Sequence, residues 1–368
     1  MNQSLVLSNL THRPMRTTAA VTAIALEVAL ILVVIGLTRG IISESSKRVA
    51  GIGADLVLRP PDTSYLLATS AAALSTKLRD VLADVEGVES STPVLTQFNT
   101  QGGLDVIYGI DLESFNRVSR GFLFVEGTGF EDEADVVVDD VYANAKKLKV
   151  GDTVTFLNNS FQVRGIVEHG KGSRVFLPIK TLQDLIGAPD KATLIFIRSA
   201  DGESNQEVIS RIKAKLPGYQ VLPMNEFVSL MTTAGQDLAP LRYFLRFVTG
   251  TASLVGFFVI FLSMYTATTE RTREIGILKS LGASKLFVGI VFFREALVLC
   301  SLGVLIGIGM AFGGRLLLGQ LFPSLHVEFG STLMIQAVLL AASSAVLGSL
   351  YPALRAASQD AIEALAYE

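Results

Sequence analysis

Four long apolar runs constrain this chain more than any other feature. Crossing about 30 Å of hydrocarbon takes roughly 20 mostly apolar residues in a helix. Stretches at 17–38, 247–267, 286–312 and 333–351 meet that requirement. Half of the 368 residues are hydrophobic and only 18% are charged. A mean hydropathy of +0.48 is too high for an ordinary soluble protein. The first run is too long for the core of a secretory signal, no small-residue cleavage site follows it, and three similar runs come later. We therefore expect four transmembrane helices.

Lysine and arginine near the span ends set the direction. His12, Arg13 and Arg16 precede the first run, Arg271, Arg273, Lys279 and Lys285 crowd the connector after the second, and Arg355 follows the fourth. Both termini and that connector are expected on the cytoplasmic side. Arg242 and Arg246 run against this, and are read as lying on a stalk above the bilayer or snorkelling to its surface. The expected division is a cytoplasmic segment 1–16, the first span 17–38, an outer domain 39–240, a stalk and second span 241–267, a cytoplasmic loop 268–285, the third span 286–312, a short external loop 313–332, the fourth span 333–351 and a cytoplasmic tail 352–368. The outer segment holds 26 acidic and 20 basic residues against 8 and 11 elsewhere, which fits the assignment. The first ten residues are a weak candidate for an interfacial helix.

The outer segment reads as α+β. "ADLVLRP", "VESSTPVLTQF", "LDVIYGIDL" and "ATLIFIRS" have strand character, and "ESNQEVISRIKAKLPGY" has helical character. Leu74, Leu78, Val81 and Leu82 have helical spacing, ending at Gly87. A short helix follows "ADVVVDD". Beyond it come a turn at Gly151–Asp152 and two strands joined at Asn158–Asn159–Ser160. The segment reads as a two-part domain with no low-complexity linker.

Several function classes fall away. A net charge of −3 leaves no basic footprint for nucleic acid. The single cysteine, Cys300, cannot form a disulfide within the chain. His12, His169 and His326 have no metal-ligand spacing, and no catalytic constellation is visible. Gly165, Gly170 and Lys171 stand at P-loop spacing, but Gly172 replaces the Mg²⁺-binding Ser/Thr and a strand-like segment follows, where a P-loop needs a helix. A glycine turn between strands is the better reading. No ATPase or other catalytic motif remains, so no enzymatic activity or cofactor is expected of this chain.

Three stretches together resemble a known family. "TERTREIGILKSLGASK" (269–285) is similar to the cytoplasmic loop of MacB/FtsX-type ABC transporter permeases. "FFREALVLCSLGVLIGIGMA" (292–311) resembles their third span, with Glu295 at its acidic position. "YPALRAASQDAIEALAYE" (351–368) resembles their C-terminus, with Ala361 where proline is common. In the outer segment, "VGDTVTF…FQVRGIV" resembles the family's small β subdomain. The resemblance covers the whole chain and is of the exporter type without a fused ATPase (MacB-like or DevC-like).

It implies a membrane α-helical fold of four transmembrane helices, with an α+β extracytoplasmic domain inserted between helices 1 and 2. It also implies a cytoplasmic-membrane location, a second copy of the chain or a close paralogue, and a separate cytoplasmic ATPase subunit carrying ATP and Mg²⁺. A periplasmic adaptor and membrane lipid are further candidate partners. ATP-driven movement of the helices would move the outer domain, an action called mechanotransmission. It would export a hydrophobic or amphipathic substrate such as haem, lipid, lipoprotein, drug or peptide. The alternative is FtsX-like signalling to a cell-wall hydrolase.

Site residues follow. Ile275, Leu278 and Leu281 fall on one helical face, Gly282 suits a helix C′ position, and the motif adds Glu270, Arg273, Glu274, Gly276 and Lys279 as ATPase-coupling residues. An amphipathic helix lying on lipid headgroups is the plainer reading. Glu27 lies near the middle of the first span, where a carboxylate costs about 3 kcal/mol unless protonated or paired. It would either be protonated and bonded to Ser253 or Ser263, or take up haem or another amphipathic cation. Gly303/Gly307 and Gly309/Gly313 have the small-xxx-small spacing of close helix packing. Arg294 and Glu295 read as snorkelling or as a structural pair. Met264, Met310 and Tyr265 read as packing residues, with a lipid- or haem-facing role the sharper alternative.

Overall fold

The computed structural model describes residues 14–61, 74–99, 105–236, 238–322 and 325–359. The readings placed on residues 1–13, including His12 and Arg13, and on 360–368, including Ala361, lie outside the described residues. The chain divides into two compact units: Met1–Gly40, Ala239–Leu321 and Val327–Glu368 form one, and Ile41–Leu238 with Phe322–His326 form the other. Helix α1 (Pro14–Ala50) contributes to both.

The outer unit is built on one mixed sheet. Its strands are β1 (Leu56–Arg59), β3 (Val88–Asn99), β4 (Asp105–Ile110), β5 (Phe124–Gly127), β6 (Asp135–Asp139), β7 (Thr153–Phe156), β8 (Asn159–Val167), β9 (Val175–Pro178), β11 (Leu194–Ser199) and β12 (Gln220–Pro223). The order is β12-β1-β11-β3-β4-β9-β6-β8-β5, with β7 paired to β8. Two short strands, β2 (Leu74–Ser75) and β10 (Lys191–Ala192), pair apart from it. Helices α2 (Leu78–Ala83), α3 (Leu112–Ser119), α4 (Asp140–Lys146), α5 (Ile179–Ile186), α6 (Asn205–Lys215) and α7 (Met224–Gln236) complete the unit.

Alternation along the strands decides the layers. Val57, Val94, Tyr108, Val137, Phe176 and Phe196 point to one face and share a single core with Phe115 and Val118 of α3 and Phe227 of α7. The other face carries two separate cores. Val136, Val138, Val163, Val175 and Leu177 pack with Tyr142 and Leu182. Leu56, Leu58, Ile195 and Ile197 pack with Leu82, Val208 and Ile212. The expected two-part domain is thus one continuous sheet, with α3 and α7 on one face and the remaining helices in two groups on the other.

Two local readings shift. Leu74 lies in β2, and the helix begins only at Leu78, so a helical spacing of apolar residues reached one turn too far. The hairpin turn falls on Leu157 and Asn158, with φ of 51° and 65°. Phe156 pairs with Asn159, so the two-residue turn sits one position earlier than expected. The Gly165–Gly172 stretch is strand followed by a loop, with Gly170 at φ 110° and Gly172 at φ 88°, and leads into β9 rather than a helix.

Asp139 caps α4 by accepting from the Tyr142 N–H. Burial pushes its carboxyl up to about 6, against the partial relief of the Tyr142 N–H, Arg174 and Arg48. The folded form therefore binds more protons than the unfolded chain between about pH 4 and 6, and this group's contribution to stability falls as pH rises through that window. Asp139→Asn keeps a capping oxygen. It is expected to stabilise the unit by up to about 3 kcal/mol at pH 7.5 and by far less at pH 4.5. Hydrogen exchange of the β6 amides at both pH values measures this, and a pH-independent difference would refute it.

Among the described residues, four helices are long and apolar enough to cross a membrane: α1, α8 (Ala239–Glu270), α10 (Lys285–Leu321) and α11 (Ser331–Ser358). A short helix, α9 (Thr272–Ser280), joins α8 to α10. Their apolar residues divide between a packed interior and an exposed, lipid-compatible exterior that includes Leu305, Leu316 and Leu339. The interior stripe of α1 is Ala20, Val21, Ile24, Val28, Ile31 and Leu32, at alternating three- and four-residue spacing. On α11, Leu333, Ala337, Ala341 and Ala345 form a buried row of mostly small residues that lets neighbouring backbones approach. Gly348 shows how closely, since a Cβ there would lie 2.8 Å from the Phe257 carbonyl oxygen.

Candidate coupling site and intramembrane groove

Helix α9 ends as its sequence demands. The Gly282 N–H donates to the Lys279 carbonyl and the Ala283 N–H to the Leu278 carbonyl. With Gly282 at φ 93°, this is a complete Schellman stop. The helix is pinned from one side. Ile275 (3% exposed) and Gly276 are buried, and Ile275 belongs to the helix-bundle core. The Lys279 ammonium donates to the carbonyls of Ala357 and Gln359, where α11 ends and its carbonyls lack helical partners.

The apolar face drawn from spacing therefore divides. Ile275 and Gly276 turn inward and are not available to a partner. Leu278 and Leu281 are exposed, and Leu281 is 80% so. Ile277, not singled out in the sequence, joins them at 45% exposure. At about 100° per residue, 277, 278 and 281 fall within one 100° arc, and 275 lies outside it. Three-residue spacing alone gave the stripe, but not where burial cuts it. Arg273 and Glu274 are exposed beside this arc.

Just inside α9 lies a clasp of charges. Glu295 on α10 is fully buried. Arg16, near the start of α1, donates to its Oε1 at 3.0 Å, and Arg271, at the α8–α9 elbow, donates to its Oε2 at 3.3 Å. Glu270 lies 3.7 Å from Arg16. The structural pairing expected of Glu295 exists, but with Arg16 and Arg271, each far away in sequence. Its neighbour Arg294 is exposed. Tyr265 accepts from Arg355, whose guanidinium lies 4.9 Å from its ring centre. Met264 is core and Met310 is exposed.

The glycine pairs also separate. A Cβ at Gly303 would sit 2.6 Å from the Ile24 Cβ, and one at Gly307 would sit 2.7 Å from the Ala25 carbonyl oxygen. This pair seats α10 against α1. A Cβ at Gly309 or Gly313 would meet nothing within 4 Å among the described residues, because both lie on the outward side of α10. The packing expected of them is not made among the described residues. Gly307→Leu is expected to destabilise the bundle by about 3 kcal/mol through overpacking, and Gly309→Leu by less than about 0.5 kcal/mol. Thermal unfolding in nanodiscs compares them, and equal losses would contradict the assignment.

Glu27 is 4% exposed on α1. Ser344 donates to its Oε1 at 3.2 Å, and Ser253 bonds the same carboxyl. The two serine hydroxyls lie 2.8 Å apart. Ser253 was one expected partner, Ser344 was missed, and Ser263 makes no hydrogen bond to Glu27. Oε2 has no hydrogen-bond partner among the described residues. Gly256 makes the approach of α8 possible, since a Cβ there would stand 1.9 Å from Oε2. Glu27 lines a groove of about 380 Å³ between α1 and α8, with Ala23, Leu26, Leu30, Phe247, Val248, Thr251, Ala252 and Val255.

A membrane protein with four spanning helices, an outer α+β domain between the first two, and a short anchored helix between the second and third has the build of a transporter permease. Residues 17–215, more than half of the chain, match the model of the MacB-like periplasmic core domain, and residues 246–361 match that of the FtsX-like permease C-terminal region. The chain belongs to the MacB/FtsX-like family of ABC transporter permeases.

Among its relatives is the uncharacterized ABC transporter permease YknZ of Bacillus subtilis (strain 168). It is 25% identical over 100% of this chain and 99% of its own length. The macrolide export ATP-binding/permease protein MacB of Salmonella typhi is 28% identical over 76% of this chain. The chain spans about half the length of that relative, 47%. Among solved structures, the periplasmic region of MacB from Actinobacillus actinomycetemcomitans aligns with a TM-score of 0.39 at 17% identity, over 49% of this chain and 94% of its own. The extracellular domain of the transporter YknZ from Gram-positive bacteria aligns with a TM-score of 0.36 at 17% identity, over 46% and 98%.

Proposed function

We propose that this chain is the membrane subunit of an ABC exporter, driven by a separate cytoplasmic ATPase that docks on α9. The observation that carries this reading is the exposed arc of Ile277, Leu278 and Leu281 on a helix held rigidly from its other side. Fixed apolar anchors beside the exposed charges Arg273 and Glu274 suit a protein groove, where few well-placed side chains supply most of the binding energy. Glu270 and Lys279 tie the connector to the bundle, Glu270 beside Arg16 and Lys279 at the end of α11.

The orientation that puts α9 and both termini in the cytoplasm rests on the lysines and arginines around this connector. ATP and Mg²⁺ belong to the partner, whose dimerisation would bring two copies of this chain together and move their outer domains. The substrate class is hydrophobic or amphipathic. The macrolide export in the relative's name supports outward transport, and a periplasmic adaptor is a compatible further partner.

Co-purification of the full chain with an ABC ATPase subunit from the same cells tests the reading. A stable complex is expected, with ATP turnover altered by an exported compound. An ATPase that neither binds the chain nor changes its turnover would overturn it.

A further inference from the structure

We infer that the groove between α1 and α8 is a lateral binding site for a lipophilic cation, with Glu27 receiving the positive headgroup. Three observations point the same way. The groove wall is apolar apart from Glu27 and Thr251, and Leu26, Phe247 and Val255 on its rim are more than half exposed. A ligand dissolved in the bilayer could enter without crossing water.

The carboxyl is only half satisfied. A carboxylate offers about four acceptor positions, and here Ser344 donates to Oε1 while Ser253 bonds the same carboxyl group. The Ser344 hydroxyl has a single hydrogen, and the Ser253 and Leu340 carbonyls compete for it. Oε2 receives nothing, although Glu27 is 4% exposed. In hydrocarbon such a group is costly until a cation or a donor meets it.

Finally, the backbone is cut away to keep the carboxyl there. Any side chain at position 256 would overlap Oε2. An ordinary packing contact would instead place an apolar pair at these positions. A primary ammonium on one alkyl tail matches the groove: the head donates to the carboxylate and the tail replaces lipid along Leu26 and Val255. This deepens the exporter reading, on which its biological meaning rests, yet binding itself requires no ATPase.

The test uses the full chain in zwitterionic phosphatidylcholine nanodiscs, with radiolabelled dodecylammonium and dodecanol as probes and empty discs subtracted. Saturable dodecylammonium binding is expected, at least ten-fold tighter than dodecanol. Glu27→Gln should erase that preference. Val255→Trp, on the exposed rim, should weaken both probes, and it decides the matter if Glu27→Gln fails to fold. Equal binding by the parent and Glu27→Gln, or unchanged binding in Val255→Trp, overturns the site. So does efficient cross-linking between two chains carrying Val255→Cys, which would show a second copy filling the groove. Loss of ATPase binding would leave this result untouched, so the two readings fail separately.

Discussion

Placing glutamate at both Leu278 and Leu281 is expected to weaken ATPase binding at least a hundred-fold while the chain stays folded. Both side chains face outward, and a polar substitution on an exposed face changes stability by about 0.5 kcal/mol or less. At an interface the same change removes two apolar anchors and buries two charges. Anchors of this kind are worth about 2 kcal/mol each, and 1.4 kcal/mol is a factor of ten.

Ile275→Glu provides the contrast. Its side chain belongs to the bundle core, so a carboxylate there would be buried without a designed partner. That variant should lose thermal stability before any question of docking arises. Pull-down of the ATPase and melting in nanodiscs separate the two outcomes. Undiminished ATPase binding by the Leu278→Glu, Leu281→Glu chain would leave α9 as a membrane-surface helix and remove the proposed docking role.

The second large effect is expected at Glu295. Glu295→Gln leaves Arg16 and Arg271 in place with their shared anion gone. Their side chains are only 15% and 10% exposed, so solvent compensates little. Removing one partner of a buried ion pair costs about 3–5 kcal/mol. The loss should be non-additive with Arg271→Met, because that change removes one of the stranded charges. The double variant should melt above the level that the two single losses predict. A fall in Tm of less than about 2 °C for Glu295→Gln would mean that the clasp does not hold the α8–α9 elbow to α1 and α10.

Legibility followed the range of the interaction. The spans were readable because hydrocarbon demands about 20 apolar residues and tolerates little else. The strands of the outer unit were readable as short apolar, β-branched runs between turn residues, as expected of a sheet covered on both faces. Gly282 was readable because a left-handed C′ residue is a local need. Its neighbours were not: Ile275 and Leu281 look equivalent in a periodic pattern, and only the packing of α9 against the other helices buries one and exposes the other. Gly303 and Gly307 share their spacing with Gly309 and Gly313, and nothing in that spacing says which side of α10 meets α1. Leu74 and the Leu157–Asn158 turn moved by a few positions because strand pairing outweighs local preference.

By itself, then, the sequence determined what each segment is: four spans, an inserted α+β domain, a short charged connector with a sharp stop, and one acid out of place in the first span. These depend on composition and on contacts between residues a few positions apart. Tertiary structure alone decided who meets whom. It brought Arg16 and Arg271 to Glu295, turned Ile275 in and Ile277 out, chose Ser344 beside Ser253 for Glu27, and cleared Gly256 to admit the carboxyl. Each of these pairings joins residues on different helices, and helix periodicity specifies the face of each helix but not the face it will pack against.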